Sequence, residues 1–303
     1  MTLLQNINDL NLILIMIYCF VDDFLKGIVG SIKYALARPG KNCPPIKKHN
    51  LSLAELASLA IFRFFTGHRN WKDFYQHIKT YHKRDFPNMP SYQNFLEAIN
   101  KLSFLAIIML QGFMNIFNKI TGKNGLKFVD SAKLKVCETK REFSHKVCFG
   151  LASKSKSSMG WFYGFKLHII CNELLQILNL KITTGTGDER KTLEAMWNNI
   201  FGMIIADAGY VSKKLEKKAF DLGKIFLSGV RANMKKIITE TEHRLLKLRQ
   251  LIETVYSVLK LRMGLETTLP RSPLGYFAHY IWCITAYQLK KFFELLFNKP
   301  KLA

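Results

Sequence analysis

The stretch Leu126–Ser131, with the sequence LKFVDS, sets an apolar run directly before an aspartate, Asp130. A second apolar run, Met203–Ala206 (MIIA), is followed in the same way by Asp207. Short apolar runs of this kind predict buried strands, and an acidic residue at such a position lies at or near a sheet edge. We expect the two runs to be neighbouring strands, so that their carboxylates lie close together although they are far apart in sequence.

A third acidic residue, Glu253, lies in a basic helical pattern that runs from Leu245 to Lys260. Two carboxylates on strand ends and one on a later helix are typical of a two-metal site that cuts phosphodiester bonds. Mg²⁺ prefers carboxylate oxygens and usually needs only a few of them. We therefore predict Asp130, Asp207 and Glu253 as catalytic residues and metal ligands for two Mg²⁺ ions, with Mn²⁺ able to substitute.

Each of these three acidic residues also has an ordinary structural interpretation. Asp130 and Asp207 could be turn or cap residues. Glu253 is four residues from Arg249 on the same helical pattern, so the two could form a surface ion pair. The fold order described below favours the catalytic interpretation.

The charge of the chain indicates a polyanionic partner. Its 303 residues contain 45 Lys and Arg against 22 Asp and Glu, a formal net charge of +23. Nucleic acid is the first candidate for such a charge and an anionic membrane surface the second. Hydrophobic residues make up 49% of the chain, which allows a sizeable core.

Several basic and aromatic residues are candidates for DNA contacts. Basic and aromatic residues interleave between residues 158 and 168, a pattern that suits stacked bases and a held backbone but also a strand with one core face. Gly160 and Gly164 in this stretch indicate a close backbone approach or a bulge. The basic loop after the last predicted strand could bind phosphates or be only a solvated face. The predicted DNA-binding residues are Arg249, Lys260, Lys166, Trp161, Arg231, Lys235 and Lys236.

Cysteine spacing and hydropathy argue against two other classes of protein. The six cysteines are scattered and none forms a C-x-x-C pair, so a structural zinc site is not expected. The apolar run Leu10–Val21 is too short to span a membrane, which needs about 20 residues. We interpret this run as a buried helix and expect a cytoplasmic protein.

The predicted secondary structure changes from helices to strands near the turn cluster Thr121–Gly125, which is the predicted domain boundary. Residues 1–121 read as helices, with either Ser52 or Asn50 as one possible N-cap and Ser91 as another. Residues 122–303 read as three antiparallel strands, then helix, strand, helix, strand and a long helix over about 240–261. Asp188 is a possible N-cap there, and residues 154–158 read as a basic, Ser-rich loop. This order predicts an α/β protein with a ribonuclease-H-like domain, a mixed sheet flanked by helices, after an all-helical N-terminal domain.

Seven stretches spread over nearly the whole chain carry a resemblance to a known family. They are Phe20–Phe24, Phe128–Ser131, Ser158–His168, Asp188–Lys191, Asp207–Tyr210, Leu251–Val255 and Arg271–Pro273. In these stretches the chain resembles the insertion-sequence 982 family of bacterial DDE transposases. The spacing Arg249-x₃-Glu253-x₆-Lys260 also resembles a signature of the wider group related to insertion sequence 4. The family tends to have a Gly-containing turn where this chain has residues 172–175, and often a basic residue at Ala208 and Ala232.

This resemblance implies Mg²⁺-dependent cleavage and transfer of DNA strands, with Asp130, Asp207 and Glu253 as the acidic triad. The expected partner is double-stranded DNA, both the terminal inverted repeats of the element and the target, bound by a homodimer at the bacterial nucleoid. The helical N-terminal domain is expected to bind the DNA ends. Two alternatives are a hydrolytic nuclease of the same fold and a decayed copy that only binds DNA.

Overall fold

The computed structural model describes residues 9–36, 50–122, 124–157, 160–230 and 239–297. The chain divides into two compact units. The helical unit combines Met1–Ile108 with Phe277–Ala303, and the sheet unit is Met109–Tyr276. The predicted boundary after residue 121 coincides with the end of the helix Ser103–Thr121, whereas this division falls inside that helix and groups residues 277–303 with the N-terminal helices.

The described helices and strands follow one another along the chain with three short helical turns between them. The turns are the 3₁₀ turns Thr139–Arg141 and Ala208–Tyr210 and the π turn Val258–Arg262. The main elements are α1 (Leu10–Leu36), α2 (Leu53–Phe62), α3 (Trp71–Tyr81), α4 (Tyr92–Lys101), α5 (Ser103–Thr121), β1 (Leu126–Cys137), β2 (Ser153–Ser157), β3 (Gly160–Asn172), β4 (Ile177–Thr184), α6 (Glu189–Met196), β5 (Met203–Ala206), α7 (Lys213–Asp221), β6 (Ile225–Ser228), α8 (Glu240–Leu248), α9 (Gln250–Ser257) and α10 (Pro273–Phe297).

Side-chain caps begin the helices of the helical unit where the sequence predicts them. Ser52 forms a capping box with Glu55 at the start of α2, and Ser91 accepts the Asn94 N–H at the start of α4. In α1, Ile17 and Val21 are fully buried. The predicted helix over Leu10–Val21 is confirmed, but the prediction that it is a buried helix was wrong, because only one face is buried while Leu12 and Ile15 are 42% and 58% exposed.

By length and composition, α5 is the one described helix that could cross a membrane, and 39% of its apolar window is buried. Its second half packs in the sheet unit, where Asn118 Nδ2 donates to the Leu178 carbonyl at 2.8 Å. A core helix of a folded domain passes the same test, so the finding by itself assigns no membrane segment.

The sheet unit contains a mixed six-stranded sheet in the order β2-β3-β1-β5-β6, with β4 also paired to β3. Strand β3 is antiparallel to β1, β2 and β4, while β5 is parallel to both β1 and β6. The predicted three antiparallel strands and the predicted neighbourhood of Leu126–Val129 and Met203–Ala206 are thus confirmed. The prediction of a loop at residues 154–158 was wrong, because Ser153–Ser157 pairs with β3 as an edge strand that has no apolar face to reveal it.

Two backbone positions in the sheet unit favour glycine, one because another strand approaches closely and one because its φ is positive. A Cβ atom at Gly164 would lie 2.0 Å from the Leu134 carbonyl oxygen, opposite the register shift in β1, which confirms the predicted close approach. Leu175, in the turn where the resembling family tends to have glycine, has a φ of 63°. A leucine there is in the left-handed region, which glycine adopts at no steric cost.

Candidate active site

Asp130 and Asp207 lie side by side because of the register of two parallel strands. Val129 pairs with Ala206, and each aspartate is the next residue along its chain. Both strands are buried up to this point, so they hold the two backbones rigidly. The parallel pairing therefore converts a large separation in sequence into a pair of adjacent carboxylates.

Each aspartate also makes the local hydrogen bond expected of a turn residue. The Ser131 N–H donates to Asp130 Oδ1 at 2.7 Å, and the Ala208 N–H donates to Asp207 Oδ1 at 2.7 Å. Asp207 is the N-cap of the 3₁₀ turn Ala208–Tyr210. The capping and catalytic interpretations are compatible, since each carboxylate keeps a second oxygen for other partners.

Glu253 is brought to the two aspartates by a long-range tie between α9 and the sheet. The Tyr256 hydroxyl lies 2.8 Å from the Asp130 carbonyl oxygen and 3.1 Å from the Leu167 carbonyl oxygen. Glu253 is one turn before Tyr256 on α9. The tyrosine therefore fixes the helix against β1 and β3 at the level of Asp130.

The guanidinium of Arg249 lies among all three predicted catalytic carboxylates. Its Nη1 is 3.4 Å from Asp130 Oδ2, and its Nη2 is 3.9 Å from Asp207 Oδ1 and 3.7 Å from Glu253 Oε1. The side chain of Arg249 is only 21% exposed. This arrangement shows that the pocket concentrates negative charge at one point and accepts a cationic group there.

Arg249 also marks an error in the sequence-based description. One long helix was predicted over about residues 240–261, but α8 ends at Leu248, α9 begins at Gln250, and a π turn follows from Val258. Arg249 is the residue shared by both helix ends and keeps helical dihedral angles. The i,i+4 pairing with Glu253 therefore survives the break.

Burial sets the protonation behaviour of Asp130. Its surroundings raise the pKa of this carboxyl to about 6, chiefly because burial penalises the charged form. The Ser131 N–H and the positive charge of Arg249 oppose that rise, and the neighbouring Asp207 adds to it. A buried carboxylate next to another acid is stabilised in its charged form by added positive charge.

An open pocket of about 730 Å³ surrounds the triad and is lined by both signs of charge. Its acidic lining residues are the three predicted catalytic residues and Glu189, which was not predicted from the sequence. Lys133 and Lys156 were missed as well. Glu189 gave only a helix-start signal. Lys133 lies in a predicted strand and Lys156 in a predicted loop, and neither position showed a functional pattern of its own. The charged lining residues are Asp130, Glu189, Asp207, Glu253, Lys133, Lys156, Lys166, Arg249 and Lys260.

The other predicted DNA-binding residues fall in three groups. Lys166 lines the pocket and lies 3.3 Å from Glu189 Oε1. Lys260 also lines it, donates to the Lys133 carbonyl at 2.6 Å and pairs with Glu266 at 3.4 Å. Burial lowers the pKa of Lys260, and the negative charge of Glu266 opposes that shift.

Trp161 lies outside the pocket lining, on the β2–β3 hairpin. It is 56% exposed, and the Lys154 ammonium is 5.8 Å from its ring centroid. Arg231, Lys235 and Lys236 lie outside the described residues. The structure thus gathers Arg249, Lys260 and Lys166 in the pocket lining with the triad, whereas Trp161 is not part of that lining.

Residues 120–273 match the family model of the transposase DDE domain, which is half of the chain. The chain belongs to the DDE transposase family. No curated protein matches the chain. Among solved structures, it is similar to the cryo-EM structure of the piggyBac transposase synaptic complex with hairpin DNA, at 12% identity and a TM-score of 0.48. The match covers 77% of this chain and 64% of that one, so this chain spans less than two thirds of the length of that transposase.

DDE transposase domains generally use divalent metal ions, and the donor chemistry of this site suits such ions. Asp130, Asp207 and Glu253 supply only carboxylate oxygens, the ligands that Mg²⁺ and Mn²⁺ prefer. Within the described ranges, no three His, Cys, Asp or Glu side chains form a ready-made metal site. At the triad, the guanidinium of Arg249 lies among the three carboxylates.

Proposed function

We propose that this DDE transposase binds the terminal inverted repeats of an insertion sequence and catalyses metal-dependent DNA strand cleavage and strand transfer. The observation that carries the proposal is the convergence of three carboxylates from β1, the end of β5 and α9 on one cationic group. Lysines line the same pocket. A negative centre with a positive rim suits a reaction at a phosphodiester held by its phosphate oxygens.

In this proposal the three acids hold divalent ions and the basic residues hold DNA. Two bound ions of the Mg²⁺ type would supply activation of the attacking oxygen and charge stabilisation of the leaving oxygen. Asp130 and Asp207 present oxygens from rigid strand ends, and Glu253 presents its oxygen from α9. Lys166 and the other lysines of the pocket lining, together with Arg249 among the carboxylates, would orient the phosphate for in-line attack by water or a DNA 3′ hydroxyl. The chain then supplies position and charge, without a covalent nucleophile.

The finer assignments rest on the strand order and the charge. The succession of four antiparallel strands, β1 to β4, followed by the two parallel strands β5 and β6, supports a ribonuclease-H-like catalytic domain over residues 122–303. The proposal also places the chain in the insertion-sequence 982 family and assigns recognition of DNA ends to residues 1–121. It further includes a homodimer assembled on DNA and a location at the bacterial nucleoid. The net charge of +23 supports DNA as the partner.

The proposal is tested with the protein and a plasmid that carries the DNA flanking its gene. With Mg²⁺ or Mn²⁺, the wild type should cut at the element boundaries and join the freed 3′ ends to target DNA, whereas Ca²⁺ should support little cleavage. Asp130→Ala, Asp207→Ala and Glu253→Ala should each abolish cutting while leaving DNA binding largely intact.

A matched control is Asp221→Ala, which removes an exposed aspartate at the end of α7 outside the pocket lining. This variant should cut and join like the wild type. Normal cutting by Asp207→Ala would overturn the assignment of the triad. Cut products without joined products would favour a hydrolytic nuclease over a transposase.

A further inference from the structure

Glu189 is the fourth acidic residue of the pocket, and its contacts differ from those of the triad. It is the first residue of α6, directly after the N-cap Asp188. Its Oε1 accepts a hydrogen bond from the Ser131 hydroxyl at 2.8 Å and lies 3.3 Å from the Lys166 ammonium. Glu189 lines the pocket, but none of these contacts involves the Arg249 guanidinium.

The Ser131 contact links Glu189 to Asp130. Ser131 donates its hydroxyl to Glu189 and its backbone N–H to Asp130 Oδ1 at 2.7 Å. The serine therefore connects the two acids through one residue. Fixing the Ser131 side chain restricts the peptide whose N–H orients the Asp130 carboxylate.

The other oxygen of Glu189 faces the segment that carries Asp207. A Cβ atom added at Gly209 would lie 3.3 Å from Glu189 Oε2. Gly209 belongs to the 3₁₀ turn whose N-cap is Asp207. One carboxylate thus contacts the residue after the first catalytic aspartate and packs close to the turn that follows the second.

We propose that Glu189 is a positioning residue that holds the Asp130 and Asp207 segments in the geometry required for metal binding. This inference rests on the proposed function. Outer contacts of this kind orient metal-ligating side chains, and their removal typically costs about 10–100-fold in metal affinity or activity. Glu189 acts through Ser131, so an acceptor oxygen at its position matters more than a negative charge.

The test compares variants of the full chain by Mn²⁺ binding, followed by electron paramagnetic resonance without DNA, and by single-turnover cleavage at increasing Mn²⁺. Glu189→Ala and Ser131→Ala should each weaken Mn²⁺ binding and raise the half-saturating Mn²⁺ concentration by about tenfold or more. The double variant should be little worse than either single one, because both changes remove the same link. Glu189→Gln should stay much closer to the wild type, since its amide oxygen still accepts from Ser131.

A matched control is Glu194→Ala, which removes a carboxylate from the same helix that pairs with Lys218 outside the pocket lining. Its Mn²⁺ curves should equal those of the wild type. Thermal melting of each variant separates a change in folding from a change in metal binding. If Glu189→Ala does not fold, Ser131→Ala carries the same expectation.

Three outcomes would overturn the inference or what underlies it. Unchanged Mn²⁺ binding in folded Glu189→Ala, or in Ser131→Ala, rejects the positioning role while leaving the proposed function intact. A Glu189→Gln variant as defective as Glu189→Ala, with Ser131→Ala unaffected, would indicate a direct metal ligand instead. A wild type that neither binds Mn²⁺ nor cuts DNA would reject the proposed function itself.

Discussion

At the scale of single residues, Arg249 separates two explanations of the same ion pairs. An exposed Arg–Glu pair one helical turn apart contributes about 0–1 kcal/mol to stability and little else. Arg249 is instead mostly buried and lies within 4 Å of three carboxylates from separate segments. A guanidinium in that position offsets the negative charge of the three carboxylates, and in the proposed reaction it would contact the phosphate.

We therefore predict that Arg249→Ala slows cleavage and joining strongly while the protein remains folded. Arg249→Lys should also be impaired, because an ammonium cannot reproduce the two-pronged contact of a guanidinium. The measurement is single-turnover cleavage and joining on pre-nicked DNA ends, beside thermal melting. Arg190→Ala, which removes a half-exposed arginine 4.0 Å from Asp188, is the matched control and should leave both unchanged. Unaltered rates with a lowered melting temperature would assign Arg249 a structural role only.

A site residue can be predicted from the sequence only when a local sequence pattern marks it. The proximity of Asp130 and Asp207 was predictable because each directly follows an apolar run, a local pattern, and these runs pair as parallel strands. Glu189 and Tyr256 were not found, because their partners lie 58 and 126 residues away along the chain. Such contacts are created by the pairing of strands and the docking of α9, and no local pattern encodes them.

At the scale of elements, Tyr256 carries the position of α9. Its hydroxyl contacts carbonyl oxygens of β1 and β3, and the ring is almost fully buried. The neighbouring turn of the same helix presents Glu253 to the aspartates. The hydroxyl is therefore a link between sheet packing and the geometry of the triad.

Tyr256→Phe should lower the free energy of unfolding by about 1–3 kcal/mol, because it leaves buried acceptors without this donor. Cleavage should fall as well, since Glu253 is held less firmly. Urea unfolding and single-turnover cleavage measure the two effects. Tyr81→Phe, at a 75% exposed tyrosine of α3, should change neither. Full stability and full activity of Tyr256→Phe would show that α9 is held by apolar packing alone.

The elements that the sequence predicted correctly are those with local signals. Ser52, Ser91 and Asp188 each cap a helix through a backbone N–H two or three residues later. Strand β2 was missed because its Ser and Lys residues carry no apolar alternation, and its partner β3 supplies the structure. The break at Arg249 was missed because neither glycine nor proline marks it.

At the scale of the whole molecule, the net charge exceeds what the active site needs. The pocket lining contains five basic and four acidic residues, which nearly cancel. Most of the charge of +23 therefore lies elsewhere on the chain. A surplus distributed in this way suits a partner that presents many phosphates at once.

Binding to random duplex DNA should weaken steeply with salt, with a log–log slope of about −0.9 for each phosphate neutralised. Each lysine that contacts a phosphate contributes about 0.9 to the magnitude of this slope. Lys156→Ala, in the pocket lining, should therefore reduce the magnitude of the slope by about 0.9. Lys218→Ala, whose ammonium pairs with Glu194 outside that lining, should leave the slope unchanged. Fluorescence anisotropy between about 50 and 200 mM salt measures the slopes. A flat response over this range would mean that the positive charge serves a partner other than DNA, because released counterions must appear in the salt dependence of any complex held by phosphate contacts.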